Sequence, residues 1–294
     1  MAKHHGNRPA EIFGYPIGNT STEAVEARRV HWCPFQGKTC TKASRLLDYP
    51  FGVCSVEHHG IIGSICPHRF KDPGAVPGRP RVLVDIARHY FGDQNLDRLD
   101  LFSEVGLPGI GTIDYVIVLV RQGMFRREVE DFVPVEIQSD QTTGTGGLVL
   151  SLRDFMDGYD VQARTYPFGM NTYDTIKRSV TQLLNKGLVY EAWGAKCYWV
   201  FQEYIYRNLV HRYGIKIDGY SPTDASRFAL YDIAPEGDRL VLTSTRFLSS
   251  SVNEFFQAMR DNPLAPSKDR FVELLNRKLD ARLRAQLAMG GKAP

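Results

Sequence analysis

Apolar positions along the chain follow two rhythms. From residue 82, "VLVDIARHYF" and then "LDRLDLFSEV" repeat apolar residues at three- and four-residue intervals, which predicts helices. "GTIDYVIVLV" at 111–120 is β-branched and almost unbroken, the pattern of a buried strand. A polar connector, "RQGMFRREVED", leads to "FVPVEIQ" at 132–138, which alternates. Val133, Val135 and Ile137 take one face and Glu136 and Gln138 the other. "TTGTGG" reads as a loop. "NTYDTIKRSVTQLLNKG" at 171–187 predicts a helix capped by Asn171 and stopped by Gly187. "AKCYWVFQEYIYRNLV" at 195–210 joins a strand to a segment whose type the pattern leaves open. "DRLVLTSTRFL" at 238–248 predicts another strand. "SKDRFVELLNRKLDARLRAQL" at 267–287 predicts an amphipathic helix. Its stripe of Phe271, Leu274, Leu275, Leu279, Leu283 and Leu287 suits core packing first and a dimer contact second.

Residues 1–70 differ in texture. They are rich in Gly and Pro, and one short helix stands out, "TSTEAVEARR" at 20–29, with Ser21 or Thr22 as cap. The rest lacks the apolar mass to fold alone. "FKDPGAVPGRPR" at 70–81 has the composition of a linker. The reading is a small N-terminal domain, 1–70, and an α/β domain, 71–294, within the 294-residue chain.

The longest apolar run, "YVIVLV" at 115–120, is far short of the roughly 20 residues of a membrane span. No apolar leader segment opens the chain, so the expected location is cytoplasmic. Charge is uneven. Residues 1–50 hold seven Lys/Arg against four Asp/Glu, and residues 264–294 hold seven against three, while the whole chain is only +3. Basic ends around an acidic middle suit a protein that grips phosphates and holds metal, and solvated surface charge suits the numbers as well.

Four of the five cysteines, Cys33, Cys40, Cys54 and Cys66, fall within 34 residues, separated by six, thirteen and eleven residues. Four thiolates are the number a tetrahedral zinc or iron takes. No CxxC pair is present, and spacing alone leaves metal and free buried thiols equally open. Cys197, in an apolar stretch, reads as core.

Asp114 near the start of one strand, and Glu136 and Gln138 on one face of the next, could meet if the strands form a hairpin. Two carboxylates at that range repel unless a cation lies between them, and magnesium favours such oxygen donors. Glu104 in "LFSEV" could add a third. The plain alternative is a wet edge strand, with Glu104 on a helix surface.

The ordered set of "EIFGYPI", "CPFQGKTCTK", "GVCSV", "ICPHRF", "LFSEV", "GTIDYVIV", "PVEIQ" and "EAWGAKCYWVFQE", spanning about 11–205, resembles the NotI family of type II restriction endonucleases. The resemblance implies a PD-(D/E)xK nuclease core, with a central mixed sheet flanked by helices, and a small N-terminal domain in which Cys33, Cys40, Cys54 and Cys66 bind structural iron, or zinc in its place. It implies an active site of Glu104, Asp114, Glu136 and Gln138, with magnesium on Asp114 and Glu136. It implies a homodimer that hydrolyses double-stranded DNA at a GC-rich palindrome. The short chain points to a shorter site such as CGGCCG.

In the wider superfamily the last motif position is usually lysine. Here it is Gln138, as in the NotI family, which leaves a metal-bound hydroxide or a phosphate oxygen as base. Lys196 reads as structural. Arg28, Arg29, Lys38, Lys42 and Arg45, with the loop "SDQTTGTGG", are the candidates to reach the DNA grooves. Two rivals stay open on the residues: a DNA-binding protein without catalysis, and a structure-specific repair nuclease.

Overall fold

The computed structural model of the chain describes residues 6–288, apart from 75, 77, 125, 216 and 218 and the side chains of 286–288. Among them the helices are α1 (Thr22–Arg29), α2 (Arg81–Phe91), α3 (Thr145–Met156), α4 (Thr172–Ala192), α5 (Glu203–Tyr213), α6 (Val252–Arg260) and α7 (Lys268–Ala288). The longer strands are β1 (Arg8–Ile12), β2 (Val53–His58), β3 (Ile61–Ser64), β4 (Leu99–Leu107), β5 (Gly111–Gln122), β6 (Arg127–Gln138), β7 (Cys197–Gln202), β8 (Ser226–Glu236) and β9 (Arg239–Ser250).

β4 to β9 form one mixed sheet in the order β9-β8-β7-β6-β5-β4. β7 runs parallel to both β6 and β8, and the other pairings are antiparallel. All six residues of β7, "CYWVFQ", are buried, as a parallel strand covered on both faces must be. One face packs Val133, Val135 and Tyr198 against Val82, Ile86 and Ala87 of α2. The other packs Trp199 and Phe228 against Ile176, Val180 and Leu183 of α4, Ile205 of α5 and Phe255 of α6. The result is a three-layer α/β/α core.

β6 is central, yet it carries Pro134, which has no N–H for a ladder. Its pairing with β7 runs from Val135 to Gln138, just beyond that proline.

Several expectations change here. "LDRLDLFSEV" is not a helix. Residues 93–98 form a 3₁₀ turn and the rest is β4, because "GTIDYVIVLV" zips to it through a hairpin turned at Gly109, φ 77°. The polar connector mostly belongs to strands, since β5 runs to Gln122 and β6 begins at Arg127; Phe125 lies outside the described residues. Residues 145–147 start α3 and are no loop. Gly187 does not stop α4, which continues to Ala192. A Cβ there would lie 2.8 Å from Val252 Cγ2, so the glycine admits α6 at close range. The stripe on α7 is not core: Phe271, Leu274, Leu275, Leu279 and Leu283 are exposed, Leu279 by 63%. Leu287 lies outside the described side chains. Strand β8 and helix α6 were not foreseen.

The N-terminal region contains more order than its composition suggests. Tyr15–Pro16, β1, β2 and β3 form a small antiparallel sheet. Ser21 caps α1 by accepting from the Ala24 N–H at 3.3 Å. The sheet's apolar side, with Ile12, Val53 and Val56, is completed by Leu148, Val149 and Leu152 of α3 and by Phe168. A 3₁₀ turn of residues 67–71, with Arg69 and Phe70 buried, runs into the expected linker of 70–81, within which Pro73 bridges Pro80; Ala75 and Pro77 lie outside the described residues.

Arg69 joins the two sheets. Its Nε donates to Glu11 Oε2 on β1 at 2.8 Å, its Nη1 lies 3.2 Å from Asp72 Oδ2, and its Nη2 donates to the Leu240 carbonyl of β9 at 2.6 Å. Glu11 also accepts from the Ser55 hydroxyl on β2, and Asp72 from the Leu242 N–H on β9. Replacing the guanidinium strands two buried carboxylates. Arg69→Met is expected to lower the free energy of unfolding in urea by about 3–5 kcal/mol, and Glu11→Gln added to it to recover part of the loss.

Candidate active site

The registers on the two sides of β5 carry the site. Tyr115 pairs with Val135 on β6, so Asp114 lies opposite Glu136. Ser103 pairs with Tyr115 and Val105 with Ile113, which sets Glu104 of β4 opposite Asp114. Three carboxylates therefore occupy one row across β4, β5 and β6. Glu104 reaches that row from a strand and not from the expected helix surface.

Their environments differ. Glu104 is exposed and sits in the left-handed region at φ 55°, a backbone state that costs a residue with a Cβ about 1–2 kcal/mol. Asp114 accepts the Ile137 N–H on Oδ2 at 2.8 Å. Burial raises its pKa, against the pull of that hydrogen bond and of Lys186, and the nearby Glu104 charge adds to the rise.

Glu136 is 0% exposed, so it is no wet strand face. Lys186 of α4 grips it, donating to Oε1 and Oε2 at 2.7 Å each and to the Thr112 carbonyl at 2.6 Å. Burial still wins over that cation and pushes the Glu136 pKa up to about 7. Gln138 is buried as well. Its Nε2 donates to Gln182 Oε1 at 2.7 Å and its Oε1 accepts from the Ser179 hydroxyl at 2.8 Å, so its amide is spent on α4.

Sequence reasoning missed Lys186. Its position in "LLNKG", one residue before the glycine of close approach, was the available signal. Lys196 donates to the Thr223 carbonyl, consistent with a structural role.

A cavity of about 240 Å³ opens in front of Glu104 and Asp114, lined also by Ser103, Tyr115 and Ile137 and closed by Pro67, His68 and Lys71 of the 3₁₀ turn, with Glu136 buried behind it. Pro67 also borders a second cavity of about 570 Å³, which brings Lys42 and Ser44 across from Ser139, Gln141, Thr142 and Arg178. The loop after the strand of Glu136 thus faces the cysteine region across a cleft. Of the proposed groove contacts, Arg28 is tied to the Asn19 and Pro16 carbonyls, Lys42 donates to the Ile65 carbonyl, and Arg29 pairs with Glu26. Lys38 and Arg45 are exposed.

Three of the four cysteines pack together, and Cys66 lies near enough to feel the others' charge. Cys33, Cys54 and Cys66 are buried, and Cys40 packs beside Cys33 and Cys54. Burial pushes the Cys54 thiol well above its ordinary value and raises those of Cys40 and Cys66, and neighbouring cysteines add to each rise. Lys42 stands among them, its own pKa lowered by burial. Among the described residues, no three His, Cys, Asp or Glu side chains are arranged to hold one metal ion. By donor chemistry the two groups still sort cleanly. The carboxylates are hard oxygen donors and the thiols soft sulfur donors, so the two groups differ in the kind of cation their chemistry favours. Among the described residues no helix is long and apolar enough to cross a membrane.

A cross-strand row of acids beside a solvent cavity, on a mixed sheet between helices, is compatible with a nuclease core. The family model described as restriction endonuclease NotI matches residues 11–216. The chain belongs to that family: it is a restriction endonuclease, a site-specific deoxyribonuclease that acts on double-stranded DNA. No curated protein matches the chain.

The left-handed backbone at Glu104 reverses the usual order of glycine and alanine inside a strand. Glu104→Gly is expected to be more stable than Glu104→Ala by about 1 kcal/mol in urea denaturation. The opposite order would show that the site holds no strain at this residue.

Proposed function

We propose that this endonuclease hydrolyses both strands of a short GC-rich palindrome, CGGCCG being the candidate, in a magnesium-dependent reaction. The cross-strand row Glu104–Asp114–Glu136, whose first two acids line an open cavity, carries the reading. Asp114 and Glu136 would hold magnesium, with Glu104 beside them, in a core of the PD-(D/E)xK type. Magnesium held there would polarise the phosphodiester and lower the pKa of an attacking water.

The chain's own groups do the rest. Lys186 fixes the rotamer of Glu136 and offsets its charge in a site that burial makes hostile to a carboxylate. Gln138 braces α4, which carries Lys186, and so acts by positioning. The Ile137 N–H orients Asp114.

Residues 1–70 would form the metal-stapled region, in which Cys33, Cys40, Cys54 and Cys66 bind one structural iron, or zinc, and residues 71–294 the catalytic domain. Four protein thiolates leave no open position for a reacting water, so this metal would stiffen the wall of the cleft. Cutting two symmetry-related strands calls for two active sites, and the exposed apolar stripe on α7 supports a homodimer. The site of action would be the cytoplasm.

A digest of long unmethylated DNA tests the catalytic reading. Discrete fragments are expected with magnesium, none with a chelator, and at least a 10²-fold slower reaction for Asp114→Ala. A smear would favour a nuclease guided by DNA shape, and intact DNA would refute catalysis at this row. Elemental analysis checks the second metal. About one iron or zinc per chain is expected, and stripping it should lower the melting temperature, because the staple's binding energy is folding energy. Retention of full stability after stripping would remove the metal from the cysteine cluster.

A further inference from the structure

Water attack on a phosphodiester builds negative charge on phosphorus-bound oxygens, in a cavity already lined by two acidic side chains, Glu104 and Asp114. Among the described residues, the cations near these acids are Lys186, Arg178 and Lys71; Arg178 borders the neighbouring cavity and donates to the Ser139 carbonyl. Lys186 is engaged by Glu136 and the Thr112 carbonyl, and Gln138 is neutral and turned to α4. Lys71 is different. It lines the same cavity, its ammonium lies 5.9 Å from the centre of the Tyr115 ring, and it forms no ion pair with the acids opposite.

Its placement follows from the 3₁₀ turn of residues 67–71. Such a turn has three residues per revolution, so positions 68 and 71 eclipse each other. Arg69 is locked to Glu11, Asp72 and Leu240, and Phe70 is buried against the α2 layer. With those two side chains fixed inward, His68 and Lys71 are left to face the cavity. The turn itself begins at Cys66, its N-cap residue.

We propose that Lys71 is the phosphate-facing cation of this nuclease, set by the Cys66 end of the thiol cluster. It rests on the nuclease reading above. Its ammonium contacts a non-bridging oxygen of the scissile phosphate. It keeps its protons throughout: the water oxygen bonds to phosphorus and releases one proton to solvent, the ester oxygen leaves with the electron pair of the broken bond and takes up a proton from solvent, and Lys71 offsets the charge held on the oxygens between.

The test uses the full chain and a duplex carrying the mapped cut site. Single-turnover cleavage in magnesium is compared for wild type, Lys71→Met and Lys71→Arg, with binding measured in calcium. Lys71→Met is expected to cut about 100-fold more slowly, while its affinity stays within about threefold and Lys71→Arg cuts within about tenfold of wild type. A duplex with an uncharged methylphosphonate at the scissile position should bind wild type more weakly than the native duplex, and bind Lys71→Met no more weakly. If wild type cuts and Lys71→Met cuts as fast, the inference is wrong and the nuclease reading stands. Rate and affinity falling together in Lys71→Met, or a folded Lys71→Arg enzyme no faster than Lys71→Met, overturns it as well. If wild type cuts nothing, the nuclease reading fails and takes this inference with it.

Discussion

One guanidinium, fully removed from water, organises this molecule. Arg69 comes from a turn between the two sheets and takes partners from both, Glu11 below and the β9 backbone above. A buried charge of this kind brings little net stability against a well-packed apolar substitute, but it tolerates few arrangements. Each of its donors has a set direction, so the turn can sit in one orientation only. Phe35, from the loop after Cys33, lies under the same guanidinium, 4.8 Å from ring centre to charge. The cysteine loops, the 3₁₀ turn and the central sheet are thereby referenced to a single group.

The catalytic row depends on a second buried pairing. Burial makes a charge on Glu136 costly, and Lys186 is the group that offsets that cost. The helix that supplies Lys186 is held to the same strand by Gln138 through Gln182 and Ser179. Strand and helix therefore hold one another in register at the point where acids meet the cavity. Asp114 and Glu104 lie progressively nearer to solvent along that row, so one line of acids grades from buried and ion-paired to open.

Much of this was legible beforehand. The unbroken "YVIVLV" and the alternating "FVPVEIQ" announce their strands, and the alternation assigns Glu136 and Gln138 to the right face. What failed did so for physical reasons. "LDRLDLFSEV" has helical spacing, yet its neighbour offers a twelve-residue hairpin partner, and pairing overrode the pattern. Gly187 looks like a stop because a glycine often is one, and only the approach of Val252 explains it inside a helix. Periodicity finds an apolar stripe on α7 but carries no information on whether anything covers it. Lys186 escaped notice because a lysine on a helix is ordinarily a surface residue, and its partner lies fifty positions away in the chain. Burial of the acids could not be read from spacing at all.

Pro134 has a consequence for how reliably the chain reaches this state. Strands carry a period of two, so a slip of one residue between β6 and β7 would turn Glu136 and Gln138 into the aliphatic layer beneath α2 and bring Val135 up beside Lys186. Aliphatic strands such as these offer little against such a slip. The proline does, since it cannot donate to a neighbour and pairing with β7 starts only at the next residue. Shifted ladders that would need a donor at that position are therefore penalised relative to the native register.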